Sequence, residues 1–222
     1  MLFYCRFISV IYSESFFLNA RLMYQIPYIV LGNKYIRLSE SSRSFPDWNT
    51  LYKNENVANM PWYNENLDYD LNEELVKRNL FSNIQDYKFL DLGTGPGTQA
   101  IKLSELGFDV TASDLSEFAI EKAKRLSDNV TFIVDDILNS KFGKEEFDYI
   151  FDRGCFHVLP PNNRNGYVAK VKDILKRGGI LFLKCFSEKE PWKEGPYRFS
   201  SGKIKDIFGK EFEVLSNRKS VV

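Results

Sequence analysis

From Tyr87 onward, short apolar runs alternate with segments of helical periodicity, and the first run breaks at Asp91-Leu92-Gly93-Thr94-Gly95-Pro96-Gly97. A short buried strand over 87–92 that ends at glycines and passes into a helix over 98–106, with Ala100, Ile101, Leu103 and Leu106 as its apolar positions, is a βα unit. The alternation continues. Strands are expected at 108–112, 130–134, 147–151 and 180–185, with a further strand starting at 212–215. Helices are expected from Ser116 as N-cap through Leu126, over 167–175 up to Gly178-Gly179, and from Ser200 or Ser201 to near Gly209. Strands separated by helices require crossover connections, so the expected fold is α/β, a doubly wound, mostly parallel sheet covered on both faces. Such sheets bind ligands beyond the carboxyl ends of their strands, so the chemistry belongs in the loops that follow them.

Upstream the organisation is less regular. The first 32 residues are apolar and aromatic but interrupted by Arg6, Glu14, Asn19, Arg21 and Gln25, so no apolar run reaches membrane-spanning length. No basic region precedes them as in a secretory signal. They read as a docking helix or strand, or as the product of a start site set too early, with Met23 or Met60 as later starts. The polar run Ser39-Glu40-Ser41-Ser42-Arg43-Ser44 is the best boundary. Residues 1–45 are therefore expected to form a leader and 46–222 the functional domain. The lead-in to that domain carries Trp48, Tyr52 and Met60-Pro61-Trp62-Tyr63, then a helix over 70–80.

Charge and cysteines bound the partners. Thirty basic residues balance thirty acidic ones, which argues against nucleic acid and offers nothing to an anionic membrane surface. Cys5, Cys155 and Cys185 are far apart, so they make no zinc ligand pair and read as free thiols of a cytoplasmic protein. No metal is expected, and a monomer is.

The glycine loop lacks the sixth-position glycine of the dinucleotide fingerprint, where Thr98 stands, and no Gly-Lys-Ser/Thr follows as in a phosphate loop. What remains is acid-x-Gly-x-Gly-x-Gly. Asp91 is a poor neighbour for a pyrophosphate and a good one for a ligand carrying an ammonium and a sulfonium; the alternative is a tight turn with no ligand. Asp114 ends the second strand at the distance where an acid accepts hydrogen bonds from ribose hydroxyls, or it is a helix-start acid on the dipole. In the third loop, Asp135-Asp136-Ile137, one acid can take adenine amino hydrogens and Ile137 can pack on the ring. The fourth, Asp152-Arg153-Gly154-Cys155-Phe156-His157, leaves a central strand and faces the reacting group. Arg153 there orients an anionic substrate or pairs with an acid. His157, the chain's single histidine, is a base or a packed, hydrogen-bonded residue.

Together these loops resemble the class I S-adenosylmethionine-dependent methyltransferases, with their Rossmann-like sheet, over residues 46 to the end. Trp48…Met60-Pro61-Trp62, Asp152-Arg153-Gly154 and Gly195-Pro196-Tyr197-Arg198-Phe199-Ser200 are similar to the small-molecule branch that includes thiopurine and tellurite-resistance methyltransferases. The resemblance implies S-adenosyl-L-methionine as cofactor. It implies Asp91, Gly93, Thr94 and Gly95 at the methionine part, Asp114 and Leu115 at the ribose, Asp136 and Ile137 at the adenine, and Asp152 near the methionyl amine. Trp62 closes the site with Trp48, unless both only pack the lead-in onto the domain. Arg153 and His157 are the catalytic candidates, with Arg198 a weaker substrate-facing one. The acceptor expected is a small molecule, with a thiol, chalcogen or other soft nucleophile favoured. The alternatives are cofactor binding without turnover or a protein acceptor. Family members add a seventh strand, antiparallel between the fifth and sixth. This chain stops shortly after 212–215, so that strand is expected to be missing or the element count compressed.

Overall fold

The computed structural model describes residues 5–12, 28–31, 34–37, 43–190 and 195–220. Three strands come from the expected leader: β1 (Cys5–Tyr12), β2 (Tyr28–Leu31) and β3 (Lys34–Arg37). The lead-in supplies α1 (Trp48–Asn54) and α2 (Tyr69–Lys77). The alternating part follows as β4 (Lys88–Leu92), α3 (Thr98–Glu105), β5 (Asp109–Asp114), α4 (Glu117–Lys124), β6 (Thr131–Val134), β7 (Phe147–Asp152), α5 (Pro161–Ile174), β8 (Leu175–Ser187), β9 (Arg198–Phe199), α6 (Ser201–Phe208) and β10 (Phe212–Lys219).

The caps explain most boundaries. Asp68, Ser116 and Ser200 each accept a backbone N–H of the first turn, starting α2, α4 and α6. Helix α5 begins at Pro161, six residues before the expected 167. A proline in the first turn has its φ preset and lacks only an N–H that would be unpaired there.

The main sheet runs β10-β1-β8-β7-β4-β5-β6, with β9 on β8, and every pairing in it is parallel. Alternate strand residues feed two cores. Leu90, Ile150, Leu181 and Leu183 pack with Tyr167, Val171, Ile204 and Phe208 of α5 and α6. Phe89, Tyr149, Phe151 and Phe182 pack with Leu71, Leu75, Leu103 and Ala123 of α2, α3 and α4. That period of two is the signature of a sheet buried on both faces.

The position between β8 and the last strand is filled, though not by an antiparallel seventh strand, which is absent among the described residues. Strand β1 pairs in parallel with β8 over Arg6–Tyr12 and with β10 over Cys5–Ile11. Ladder hydrogen bonds are made by backbone, so a strand from the other end of the chain satisfies the same N–H and C=O groups. The hairpin β2–β3 forms a separate two-stranded sheet. Among the described residues no helix is long and apolar enough to cross a membrane.

Candidate active site

Strands β4, β5, β6, β7 and β8 end on one rim, and a cavity of about 210 Å³ opens there. The glycine loop after β4 is tied to β5, with Gly93 N and Thr94 N donating to the Ser113 carbonyl at 2.8 and 2.9 Å. Gly95 has φ +54°, and a Cβ on it would lie 2.5 Å from Tyr52 Oη. Only glycine lets the chain turn in the left-handed region with an aromatic hydroxyl this close.

Asp91 lies behind this loop and not on the cavity wall. It is 3% exposed and accepts a hydrogen bond from Thr94 Oγ1. Burial pushes its carboxyl up to about 6, against the opposing pull of Thr94. Asp114 does line the cavity. Its Oδ2 accepts Gly95 N at 2.8 Å and its Oδ1 accepts Ser116 N at 2.9 Å. Burial raises its pKa too. Each oxygen retains a lone pair beyond those contacts. Leu115, 59% exposed, stands at the mouth.

Both acids of the third loop line the cavity with Ile137. Asp136 is committed locally, accepting Leu138 N at 3.0 Å and Asn139 Nδ2 at 2.7 Å. Asp135 accepts Lys141 N through Oδ1, while its buried Oδ2 has no partner.

In the fourth loop, Asp152 is fully buried and also stands behind the wall. It accepts Gly154 N, Cys155 N, Phe156 N and the Tyr167 hydroxyl, which shape the turn that follows β7. Arg153 lines the cavity and spans to the lead-in: Nε donates to Asp68 at 3.2 Å and Nη1 to the Trp62 carbonyl at 2.9 Å. Asp68 also takes Lys184 Nζ at 2.6 Å. His157 lines the cavity with its ring centroid 5.1 Å from that of Phe186. Burial, with Arg153 and Arg198 as like charges, pushes its pKa down to about 3, and its buried Nδ1 has no hydrogen-bond partner.

The lead-in closes the remaining side. Trp48 and Trp62 meet edge to face at 5.9 Å, and Trp62 Nε1 donates to Tyr52 Oη at 2.9 Å. Helix α1 is fastened to α4 by Asn49, whose Oδ1 accepts from Ser116 Oγ and Phe118 N. The two tryptophans pack the lead-in onto the domain and also line the cavity.

The family model for a methyltransferase domain matches residues 89–179. Over 103 residues the chain is 37% identical to an uncharacterized methyltransferase of Schizosaccharomyces pombe, an alignment covering 45% of this chain and 71% of that one. The chain belongs to the class I S-adenosylmethionine-dependent methyltransferases.

Among solved structures, an enzyme described under the conversion of a disulfide bond into a thioacetal group during echinomycin biosynthesis superimposes with TM-score 0.59 at 24% identity, over 72% of this chain and 76% of that one. Phosphoethanolamine N-methyltransferase 2 of Haemonchus contortus in complex with S-adenosyl-L-methionine has TM-score 0.51 at 25% identity, over 64% of this chain and 36% of that one.

The methyltransferase's cavity suits that cofactor chemically. On its wall Asp114 offers spare acceptor capacity, Ser113 has a buried hydroxyl without a partner, and Ile137 gives an apolar face. Sequence reasoning missed Tyr52, Ser113 and Phe186 as wall residues. Tyr52 follows Trp48 by one helical turn, so the shared face was readable. Phe186 gave no signal beyond closing an apolar strand.

Proposed function

We propose that this methyltransferase acts on a small molecule, with a thiol, chalcogen or other soft nucleophile as acceptor. The observation that carries the reading is the cavity's largely apolar lining, with Trp48, Trp62, Val158, Leu159 and Phe186 among its walls, the character of a small-molecule pocket. The Haemonchus contortus enzyme is a phosphoethanolamine N-methyltransferase, which also favours a small acceptor. Trp48…Trp62, Asp152-Arg153-Gly154 and Gly195–Ser200 support a likeness to the thiopurine and tellurite-resistance branch.

In this reading Asp114 holds the ribose diol, Asp136 and Ile137 flank adenine with Leu115 at the edge, and Gly93, Thr94 and Gly95 present backbone to the methionine part. Asp91 and Asp152 act from behind, Asp91 through Thr94 and Asp152 through the turn it caps. Arg153 holds Trp62 and so sets the acceptor's side of the cavity. S-adenosylmethionine supplies an electrophilic methyl group on sulfonium. The chain's contribution is alignment and exclusion of water, and alignment of two bound reactants is worth roughly 7–11 kcal/mol. Residues 46–222 make up the methyltransferase domain in this proposal, and residues 1–45 contribute β1 to its sheet. A cytoplasmic monomer completes it, carried by three separated cysteines and a balanced charge.

The test is methyl transfer from labelled cofactor to a panel of thiols, chalcogen oxyanions, halides, phenols and amines, repeated with Arg153→Ala. Transfer only to protein would refute the small-molecule acceptor. Equal turnover by Arg153→Ala and wild type would refute the role of Arg153.

A further inference from the structure

Arg153 is tied to two groups of the lead-in, and they are unequal anchors. Its Nη1 donates to the Trp62 carbonyl at 2.9 Å and its Nε to Asp68 Oδ2 at 3.2 Å. A planar guanidinium with two N–H groups engaged has its orientation set. Asp68 is the firmer anchor. It is buried, its backbone N donates to Gln99 Oε1 at 2.7 Å, and its Oδ1 accepts Leu71 N at 3.2 Å as the cap of α2. Its Oδ2 also accepts Lys184 Nζ at 2.6 Å. Lys184 is buried on β8 and reaches Asp70 at 2.6 Å, and Asp70 in turn takes the Ser220 hydroxyl and pairs with Arg218 of β10. A buried ammonium is costly without counter-charges, so these ions hold one another in place. Trp62 is held by less: its indole donates to Tyr52, and its carbonyl is taken by Arg153. Arg153 and Trp62 line the cavity, whereas Asp68 and Lys184 border a separate groove that shares only Arg153 with it.

We infer that Asp68 is a positioning residue of this methyltransferase: its carboxylate, outside the cavity, fixes the Arg153 guanidinium, and Arg153 fixes the Trp62 wall. The dependence runs from the buried ions toward the cavity. Asp68 keeps its cap, Gln99 and Lys184 without Arg153, whereas the Trp62 carbonyl is held by Arg153. With the charge on Asp68 removed, the guanidinium is no longer drawn to that side. Trp62 then has to be ordered each time the cavity fills, and a wall that is not preorganised lowers affinity. The inference takes the hold of Arg153 on Trp62 from the reading above and is independent of the acceptor's chemical class.

The experiment is a double-mutant cycle on the full chain with Asp68→Asn and Arg153→Ala. Asparagine caps a helix about as well as aspartate, so Asp68→Asn removes the charge and spares the cap. Two quantities are read: the calorimetric Kd for S-adenosylhomocysteine, and the ¹⁹F resonance of Trp62 in chain labelled with 5-fluorotryptophan, assigned by Trp62→Phe. Asp68→Asn should raise the Kd roughly two- to thirtyfold and move the Trp62 resonance toward its place in Arg153→Ala. In the Arg153→Ala background it should change neither further. Asp68→Asn combined with Lys184→Met leaves no buried ammonium short of a counter-charge and should give the same shift, so the cycle can be run even where the single variant fails to fold. Effects that add in full to those of Arg153→Ala, or a Trp62 resonance that Asp68→Asn leaves in place, would make Asp68 only a cap and a counter-ion and overturn the inference. Failure of both Asp68 variants to fold, with Arg153→Ala folded, would overturn it as well. If Arg153→Ala itself leaves both the Kd and the Trp62 resonance at their wild-type values, the role given above to Arg153 fails, and this inference with it.

Discussion

Replacing Gly95 by alanine tests the join between the glycine loop and the lead-in. The backbone there has φ +54°, and the added Cβ would stand 2.5 Å from Tyr52 Oη, roughly 1 Å inside ordinary contact. Left-handed backbone costs alanine about 1–2 kcal/mol. Tyr52 cannot swing away freely, because its hydroxyl accepts Trp62 Nε1 at 2.9 Å and its ring is buried against Trp62 and Ala119. If Tyr52 yields, that hydrogen bond is lost, and if the loop yields, the bond from Gly95 N to Asp114 is lost instead. Either adds about 1 kcal/mol. The expected destabilisation is therefore about 2–3 kcal/mol, or about 4–12 °C in Tm for a chain of this size. Urea unfolding followed by tryptophan fluorescence measures it. The decisive comparison is the same substitution in Tyr52→Phe, where the clashing oxygen is gone and only backbone strain remains. Gly95→Ala should cost about 1 kcal/mol less in that background. Equal cost in both backgrounds, within the roughly 0.3–0.5 kcal/mol scatter of additivity, would refute the steric argument.

Asp114→Asn turns one acceptor oxygen into a donor facing a backbone N–H or a ribose hydroxyl; S-adenosylhomocysteine affinity should fall about ten- to hundredfold by calorimetry, and an unchanged Kd would remove Asp114 from the binding set. Asp91 has a folded pKa of about 6 against an ordinary 3.8, so the fold favours its protonated form. Its contribution is full below the lower value and lost as pH rises through about 6, a swing of roughly 3 kcal/mol. Wild type should therefore lose stability relative to Asp91→Asn from one side of that range to the other, whereas parallel pH curves in urea unfolding would contradict the burial argument. A chain beginning at Ser44 lacks β1 and leaves β8 and β10 with unpaired facing edges. It should aggregate or unfold at lower temperature by light scattering and calorimetry, and a soluble chain with unaltered Tm would show β1 to be dispensable.

The helices and strands from residue 87 on were legible because their caps and breakers are local. Ser116, Ser200 and the glycine loop act on backbone groups within a few residues. The cavity's residue list was legible for a related reason: in a parallel sheet the loops after successive strands share one rim, so Asp114, Ile137 and Arg153 converge without knowledge of a single contact. What each side chain does there was less legible. Asp91 and Asp152 look in sequence like ligands in the front rank, yet they stand behind the wall, because their carboxylates are saturated or shielded by the loops they brace.

The order of apolar runs and glycines along the chain determined by itself a doubly wound sheet and a ligand rim, since both follow from period and turn chemistry within short stretches. The tertiary structure alone decided the rest. It set the leader strand between β8 and β10, joined Arg153 to Asp68 and Trp62, and buried His157 between cationic neighbours. These depend on groups far apart in the chain meeting at hydrogen-bond range, and on how much water is left around them, and neither quantity is carried by local sequence.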